Sequence, residues 1–136
     1  MQNELNFRPY AESFARLDPS LDYSLGSLAI LECLLRCLRQ GIIENQVSAD
    51  QMNQLVVGAG AYIGEILIQT AGGSWASCER ENEPWIETPF ERLFPFQLVR
   101  RTIWMETSED LPRAVLCQIP GYRWLKSEVK NESRNR

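Results

Sequence analysis

Residues 48–73 read SADQMNQLVVGAGAYIGEILIQTAGG, and the architecture turns on how this stretch folds. Ser48, with Gln51 three positions on, is a capping-box pattern: the Ser48 hydroxyl accepts from the N3 N–H while the Gln51 side chain reaches back to the N-cap. Gly72-Gly73 supplies the stop. Projected at about 100° per residue, Met52, Val56, Ala59, Ile63, Ile66 and Thr70 fall on one face, and Val57, Ala61, Gly64 and Ile68 form a second apolar arc. Only a narrow strip of Gln51, Gln54, Gly58, Glu65 and Gln69 remains between them. A helix apolar on two sides lies between other elements, so this one is predicted to be central.

The flanks supply its neighbours. Upstream, residues 4–17 predict a first helix with Leu5, Tyr10 or Phe14, and Leu17 as its stripe, starting near Arg8 if Pro9 takes the first turn. A second helix runs from about Leu25 to Gln40 and stops at Gly41; its buried face is read as Ile30, Leu31, Leu34, Cys37 and Leu38, opposite Glu32, Arg36, Arg39 and Gln40. Downstream, residues 74–79 and 84–88 read as a β-hairpin in which Trp75 and Trp85 are cross-strand partners or lids for the central helix. Pro95 starts a fourth helix reaching about Glu106, with Leu98, Val99 and Ile103 inward. A fifth helix over 109–118 competes with a strand over 113–119, because Val115, Cys117 and Ile119 also alternate. Residues 126–136 are polar and predicted to fray, leaving one α+β domain over 1–125: four to five helices around the central one, with a small antiparallel hairpin or sheet.

Composition excludes several chemistries. The 136 residues contain no histidine, which removes Ser-His-Asp and Cys-His systems and His-ligated zinc or haem. A net charge of −4 argues against a nucleic-acid binder that works by releasing counterions from phosphates. The start, Met1-Gln2-Asn3-Glu4, lacks the basic-then-apolar order of a signal peptide, and no apolar run is long enough to span a bilayer, so a cytoplasmic, non-membrane setting is expected. Cys33, Cys37, Cys78 and Cys117 equal a zinc ligand set in number, but lack paired short spacing on both sides. They are read as small core residues, with no metal and no cofactor implied.

Glu65 draws attention because it stands among Gly58, Gly60 and Gly64, each costing about 1 kcal/mol against alanine in a helix. Such glycines imply the close approach of another backbone, with Glu65 bonded to that neighbour, to an Arg or to a tryptophan N–H. A ligand or catalytic site built on Tyr62 and Glu65 is the rival reading; no second carboxylate or nucleophile stands at a useful spacing, and no catalytic residue is assigned. Around the hairpin, Glu79, Glu81, Glu83, Glu87 and Glu91 outnumber Arg80 and Arg92, an acidic surface suited to a basic protein partner. Trp85 or Trp124 is expected to reach the surface there as an anchor.

Gly60-Ala61-Tyr62-Ile63-Gly64-Glu65, then Gly72-Gly73-Ser74-Trp75, then Pro95-Phe96 resemble a loose group of small uncharacterised bacterial domains, some of them immunity-type, with a G-A-Y-x-G-E helix, a Gly-Gly-x-Trp start to a hairpin and a Pro-Phe helix start. The resemblance covers about residues 48–105 and implies helices packed on a small antiparallel sheet in proteins that act by binding. The reading is therefore a bacterial, non-enzymatic protein-binding domain of immunity or inhibitor kind, with Tyr62, Glu65, Trp75, Trp85 and Glu87 as candidate binding residues. The alternatives are the Tyr62–Glu65 ligand site and a homodimeric structural protein.

Overall fold

The structure, a computed structural model, describes residues 6–77, 83–89, 91–104 and 110–117. In chain order these form α1 (Arg8–Ala15), α2 (Ser27–Ile43), α3 (Ala49–Ala71), β1 (Ser74–Ala76), β2 (Trp85–Glu87), β3 (Arg92–Leu93), α4 (Pro95–Trp104) and α5 (Leu111–Cys117). The fold is α+β, five helices with one antiparallel sheet in the order β1-β2-β3. The predicted capping box forms: the Gln51 N–H donates to the Ser48 hydroxyl at 3.2 Å, and the Ser48 N–H donates to the Gln51 side chain at 2.9 Å. From it α3 runs as the central element, packed chiefly on α1 and α4 and buried without interruption from Gly58 to Gly64.

What approaches the α3 glycines is not backbone, as expected, but aromatic rings. A Cβ on Gly60 would lie inside the Phe96 ring, and one on Gly64 inside the Trp75 ring. At Gly58 it would come within 3.0 Å of the Phe14 side chain. Three notches on one helix thus seat rings from α1, α4 and β1. Burial of each ring offsets the helical cost of the glycine beneath it. Phe7 closes the cluster, its ring 4.5 Å from that of Trp75 and 5.7 Å from that of Phe96.

The other helices depart from expectation in instructive ways. In α1, Pro9 does sit in the first turn, but the buried residues are Ala11 and Phe14, while Tyr10 and Leu17 are more than half exposed. Leu5 lies outside the described residues. In α2 the buried face is Ser27, Leu28, Leu31, Leu35 and Leu38. Cys33 and Cys37 lie on the opposite side and are exposed, because these leucines at alternating three- and four-residue spacing already fill the inward stripe. Gly41 does not end α2. The helix continues to Ile43 and closes through Asn45 at φ 57°, whose N–H bonds Ile42 O while Gln46 N–H bonds Gly41 O, a Schellman arrangement with Asn in the left-handed position. Gly41 is needed for space: a Cβ there would meet Val47 at 2.7 Å. Glu32, expected on the solvent face, is largely covered, accepting the Leu111 N–H at 2.7 Å and so capping α5 from α2.

Each strand of the hairpin is shorter than predicted, and β3 is an addition, joined to β2 by a turn in which the Thr88 hydroxyl both donates to Glu91 O and accepts the Glu91 N–H. In register, Trp75 opposes Ile86 and Ala76 opposes Trp85, so the two tryptophans are not partners but point to opposite faces. Ile86 and Leu93, on the Trp75 side, are fully buried toward α3. Residues 111–117 are helical, which overturns the strand alternative, and Asp110 caps them by accepting the Arg113 N–H at 2.9 Å. The predicted extension of α4 to Glu106, Cys78 and the polar tail lie outside the described residues.

The notches make a prediction. Gly60→Ala and Gly64→Ala should each destabilise the chain in urea by about 1–3 kcal/mol despite alanine's better helix propensity, because the new methyl overlaps a ring. Gly58→Ala, which needs Phe14 to yield only a few tenths of an ångström, should cost least. If all three alanine variants were stabilised alike, the rings would not occupy the notches.

Candidate functional site

Tyr62 is wholly buried at the centre of a closed hydrogen-bond chain. The Ser27 hydroxyl donates to Ser24 O at 2.6 Å, and since it carries one proton, the 2.6 Å contact between Tyr62 and Ser27 must have the Tyr62 hydroxyl as donor. The Tyr62 oxygen in turn accepts the Tyr23 N–H at 2.9 Å. Tyr23 reaches this position only by adopting φ 65°, a left-handed conformation unusual for a non-glycine residue, and its ring stacks on Tyr62 at 4.8 Å. Asp22 holds the loop by accepting from the Ser24 hydroxyl and N–H, which keep its carboxyl below the ordinary range. With its donor and acceptor both engaged, Tyr62 joins α3 to the start of α2.

The remaining candidates fall into two separate places. Glu65 is half-buried and accepts the indole N–H of Trp75 at 3.4 Å, steadying the ring in the Gly64 notch; of the three neighbours foreseen for it, the tryptophan is the one present. On the opposite sheet face, Trp85 is buried at 4% exposure, contrary to the expectation of a surface anchor. Its indole N–H donates to Glu87 at 2.6 Å, and the Arg92 guanidinium lies 4.4 Å above its ring while pairing with Glu87 at 3.3 Å. Trp124 lies outside the described residues, and among those described the exposed tryptophan is Trp104, at 45%. The acidic surface is reduced where it is described: Glu83 pairs with Arg100 and Glu87 with Arg92. Glu79 and Glu81 lie outside the described residues.

The open concavity is elsewhere. A groove of about 740 Å³ runs between α1 and the first half of α3, walled by Phe7, Tyr10, Phe14 and Leu17 on one side and by Leu55 and Val57 on the other. Among the described residues, Ser13, Asn53 and Gln54 are its polar groups and no charged side chain lines it. Neither Tyr62 nor Glu65 contributes to it. Tyr10 and Leu17, at 54% and 59% exposure, stand on the rim. The signal for this face was present in α1 as more apolar residues than one helical stripe can bury.

Among the described residues, no group of three or more His, Cys, Asp or Glu side chains is placed to hold a metal ion, and no helix is long and apolar enough to cross a membrane. No family model, curated protein or solved structure matches the chain.

Two outcomes test the role of the tyrosines. Tyr62→Phe removes the acceptor of the Tyr23 N–H and should lower stability by about 1–3 kcal/mol in urea denaturation, the cost of an unpaired buried group; unchanged stability would free Tyr62 for a ligand role. Burial, reinforced by Glu12, raises the pKa of Tyr23 above 10.0, and its hydroxyl is buried without a partner among the described residues. A raised folded pKa means that the stability held below pH 10.0 is lost as pH climbs toward the folded value, since the unfolded chain releases the proton first. Tyr23→Phe should therefore flatten the alkaline decline of the melting temperature and cost nothing at neutral pH.

Proposed function

We propose that this chain is a non-enzymatic protein-binding domain that receives an apolar, uncharged face of a partner segment in the groove between α1 and α3. The observation that carries the reading is the groove's apolar wall, with Tyr10 on α1 and Leu17 just past its end left open beside half-covered Phe7, Leu55 and Val57. Contiguous exposed apolar surface of this kind marks interaction sites more than isolated exposed residues do. The described lining suits apolar anchors with neutral hydrogen bonding to Ser13, Asn53 and Gln54. A helix presenting anchors at i, i+3 or i+4, and i+7 spans roughly 10 Å, close to the roughly 12 Å of the eight-residue α1 that walls the groove.

The groove is preferred to the hairpin as the contact face. A basic partner would need free carboxylates there, and Glu83 and Glu87 already hold Arg100 and Arg92. An immunity or inhibitor role is one form of this reading, because such proteins act by occupying a partner. The bacterial cytoplasm is the setting that goes with it, and there the exposed thiols of Cys33 and Cys37 stay reduced. A second reading, a small apolar ligand, is favoured by the groove's volume, which falls within the roughly 300–1,000 Å³ of ligand sites.

Selection of helical peptides from a displayed library, with counter-selection against Leu17→Lys, provides the test. Leu17 is exposed, so the lysine variant should keep its stability within about 0.5 kcal/mol. Enriched peptides with three apolar anchors on one face and no binding to Leu17→Lys would support the proposal. No enrichment would sink it, as would a stable dimer in light scattering that Leu17→Lys converts to monomer, which would assign the groove to a second copy.

A further inference from the structure

The groove between α1 and α3 has two unlike ends. Phe14 sits over Gly58, and Phe7 lies against the rings seated at Gly60 and Gly64, so α1 runs against the direction of α3. One end is thus closed by the rings of Phe7, Trp75 and Phe96. The other lies between the first turn of α3 and the end of α1, and two charges stand there. Asp50 precedes Asn53, Gln54 and Val57 by three, four and seven residues, which puts it on the stripe of α3 that lines the groove. Arg16 follows Ser13 by three residues with its backbone still helical, at φ −72°, and so stands one turn beyond a lining residue of α1. Both side chains are exposed. Among the described residues neither has a hydrogen bond or ion pair, whereas the charges around them are committed. Arg8 pairs with Glu12 at 3.3 Å, Asp18 accepts the Ser20 N–H at 2.8 Å, and Glu65, the second charge of α3, accepts the Trp75 indole N–H. The capping box of α3 engages Ser48 and Gln51 and does not use Asp50. An acid anywhere in the first turn complements the helix dipole, but of positions 49–51 only 50 falls on the groove stripe.

We propose that the occupant of the groove is an amphipathic helix whose apolar face is flanked by a basic side chain that pairs with Asp50 and, across that face, by an acidic side chain that pairs with Arg16. The proposal rests on the groove reading above and adds to it the charge pattern of the partner. Between packed helices the apolar side chains supply the contact, while charges beside the seam select the partner and its alignment. A helix with the same anchors and neutral flanks fits the walls but gains nothing at the open end. One with the two charges exchanged meets like charge on both sides, which rejects it. Because the open end faces water, each pair changes affinity by only about two- to fivefold and weakens as salt rises. The charges therefore decide which helix is chosen and the apolar walls decide that one is held.

The test selects a displayed library of helical peptides against the full chain and, in parallel, against Asp50→Lys and Arg16→Glu, both at exposed positions and checked for an unchanged circular dichroism spectrum. Apolar anchors are fixed in the library and every flanking position is drawn from Lys, Glu and Gln. The unaltered chain should enrich Lys on one flank and Glu on the other. Asp50→Lys should turn the enriched Lys into Glu and leave the opposite flank as it was; Arg16→Glu should do the reverse. Fluorescence anisotropy then measures the peptide chosen by the unaltered chain. It should bind Asp50→Asn, which adds no charge to the first turn of α3, about two- to fivefold more weakly, and high salt should erase that difference. Enriched anchors with no preference on the flanks, or the same preference in Asp50→Lys as in the unaltered chain, would overturn the charge pattern while leaving the groove reading in place. No enrichment at all would overturn both.

Discussion

Aromatic rings seated in glycine notches bring α1, α4 and β1 onto the backbone of α3 and fix where each of them lies. A helix of ordinary residues holds its neighbours at the distance set by its own side chains. At Gly60 and Gly64 that layer is missing, and Phe96 and Trp75 descend to the helix backbone. The two rings belong to different elements, α4 and β1, so a single four-residue interval on α3 sets the positions of both. Phe7 then fills the angle between the rings and ties the chain before α1 to the same place. The glycines weaken α3 as an isolated helix by about 3 kcal/mol in total. Helix formation is thereby coupled to tertiary packing, since α3 gains its stability only when the rings arrive.

The Tyr62 chain does the complementary work on the polar side. α2 begins at Ser27, and Ser27, Ser24 and Tyr23 all reach the Tyr62 hydroxyl or one another. A buried hydroxyl with both valences engaged fixes an orientation that apolar contacts alone leave loose, because a shift of either helix would strand at least two polar groups. The strained φ of Tyr23 is the local cost of that arrangement. Together the ring notches and the tyrosine chain hold α3 against α4, the sheet and the head of α2, and they account for Tyr62, Glu65 and Trp75, whereas Trp85 and Glu87 are tied to Arg92 on the other sheet face.

Much of the fold was legible from sequence because its decisive signals are local. The capping box at Ser48, the Gly72-Gly73 stop, Pro9 and Pro95 in first turns, and the period of α3 each act within a few residues. What escaped depends on strand register and on which side chains fill each face. Two adjacent strand patterns make Trp75 and Trp85 cross-strand partners or lids for the central helix, whereas a register offset of one residue puts them on opposite faces and only Trp75 lies on α3. Gly41 looked like a helix terminus, yet the left-handed position fell on Asn45, and Gly41 owes its identity to Val47 packing against it. General tendency puts Cys33 and Cys37 inside, but Leu28, Leu31, Leu35 and Leu38 already complete the stripe. For the candidate site the limit was sharper. Tyr62, Glu65, Trp75, Trp85 and Glu87 are unusual for packing reasons, and a residue's oddity in sequence does not separate a notch or a buried network from a binding face.

The open groove follows from the lengths of the helices. α3 has 23 residues and extends roughly 35 Å, whereas α1 has eight and extends roughly 12 Å. From Gly58 to Gly64 every residue of α3 is buried, but from Met52 to Val57 the same helix is only half covered or exposed. The apolar pattern of α3 does not stop where its neighbours stop: Leu55, Val56 and Val57 continue it into the uncovered half. α1 does not close the gap, because Ala11 and Phe14 commit its inner face to α3 around the Gly58 notch and leave Tyr10 and Leu17 standing on the rim. A chain that needed this surface only for its own core would be expected to end the apolar pattern near Gly58 or to lengthen α1. The sequence does neither, and among the described residues no element covers the apolar surface left over between α1 and the first half of α3.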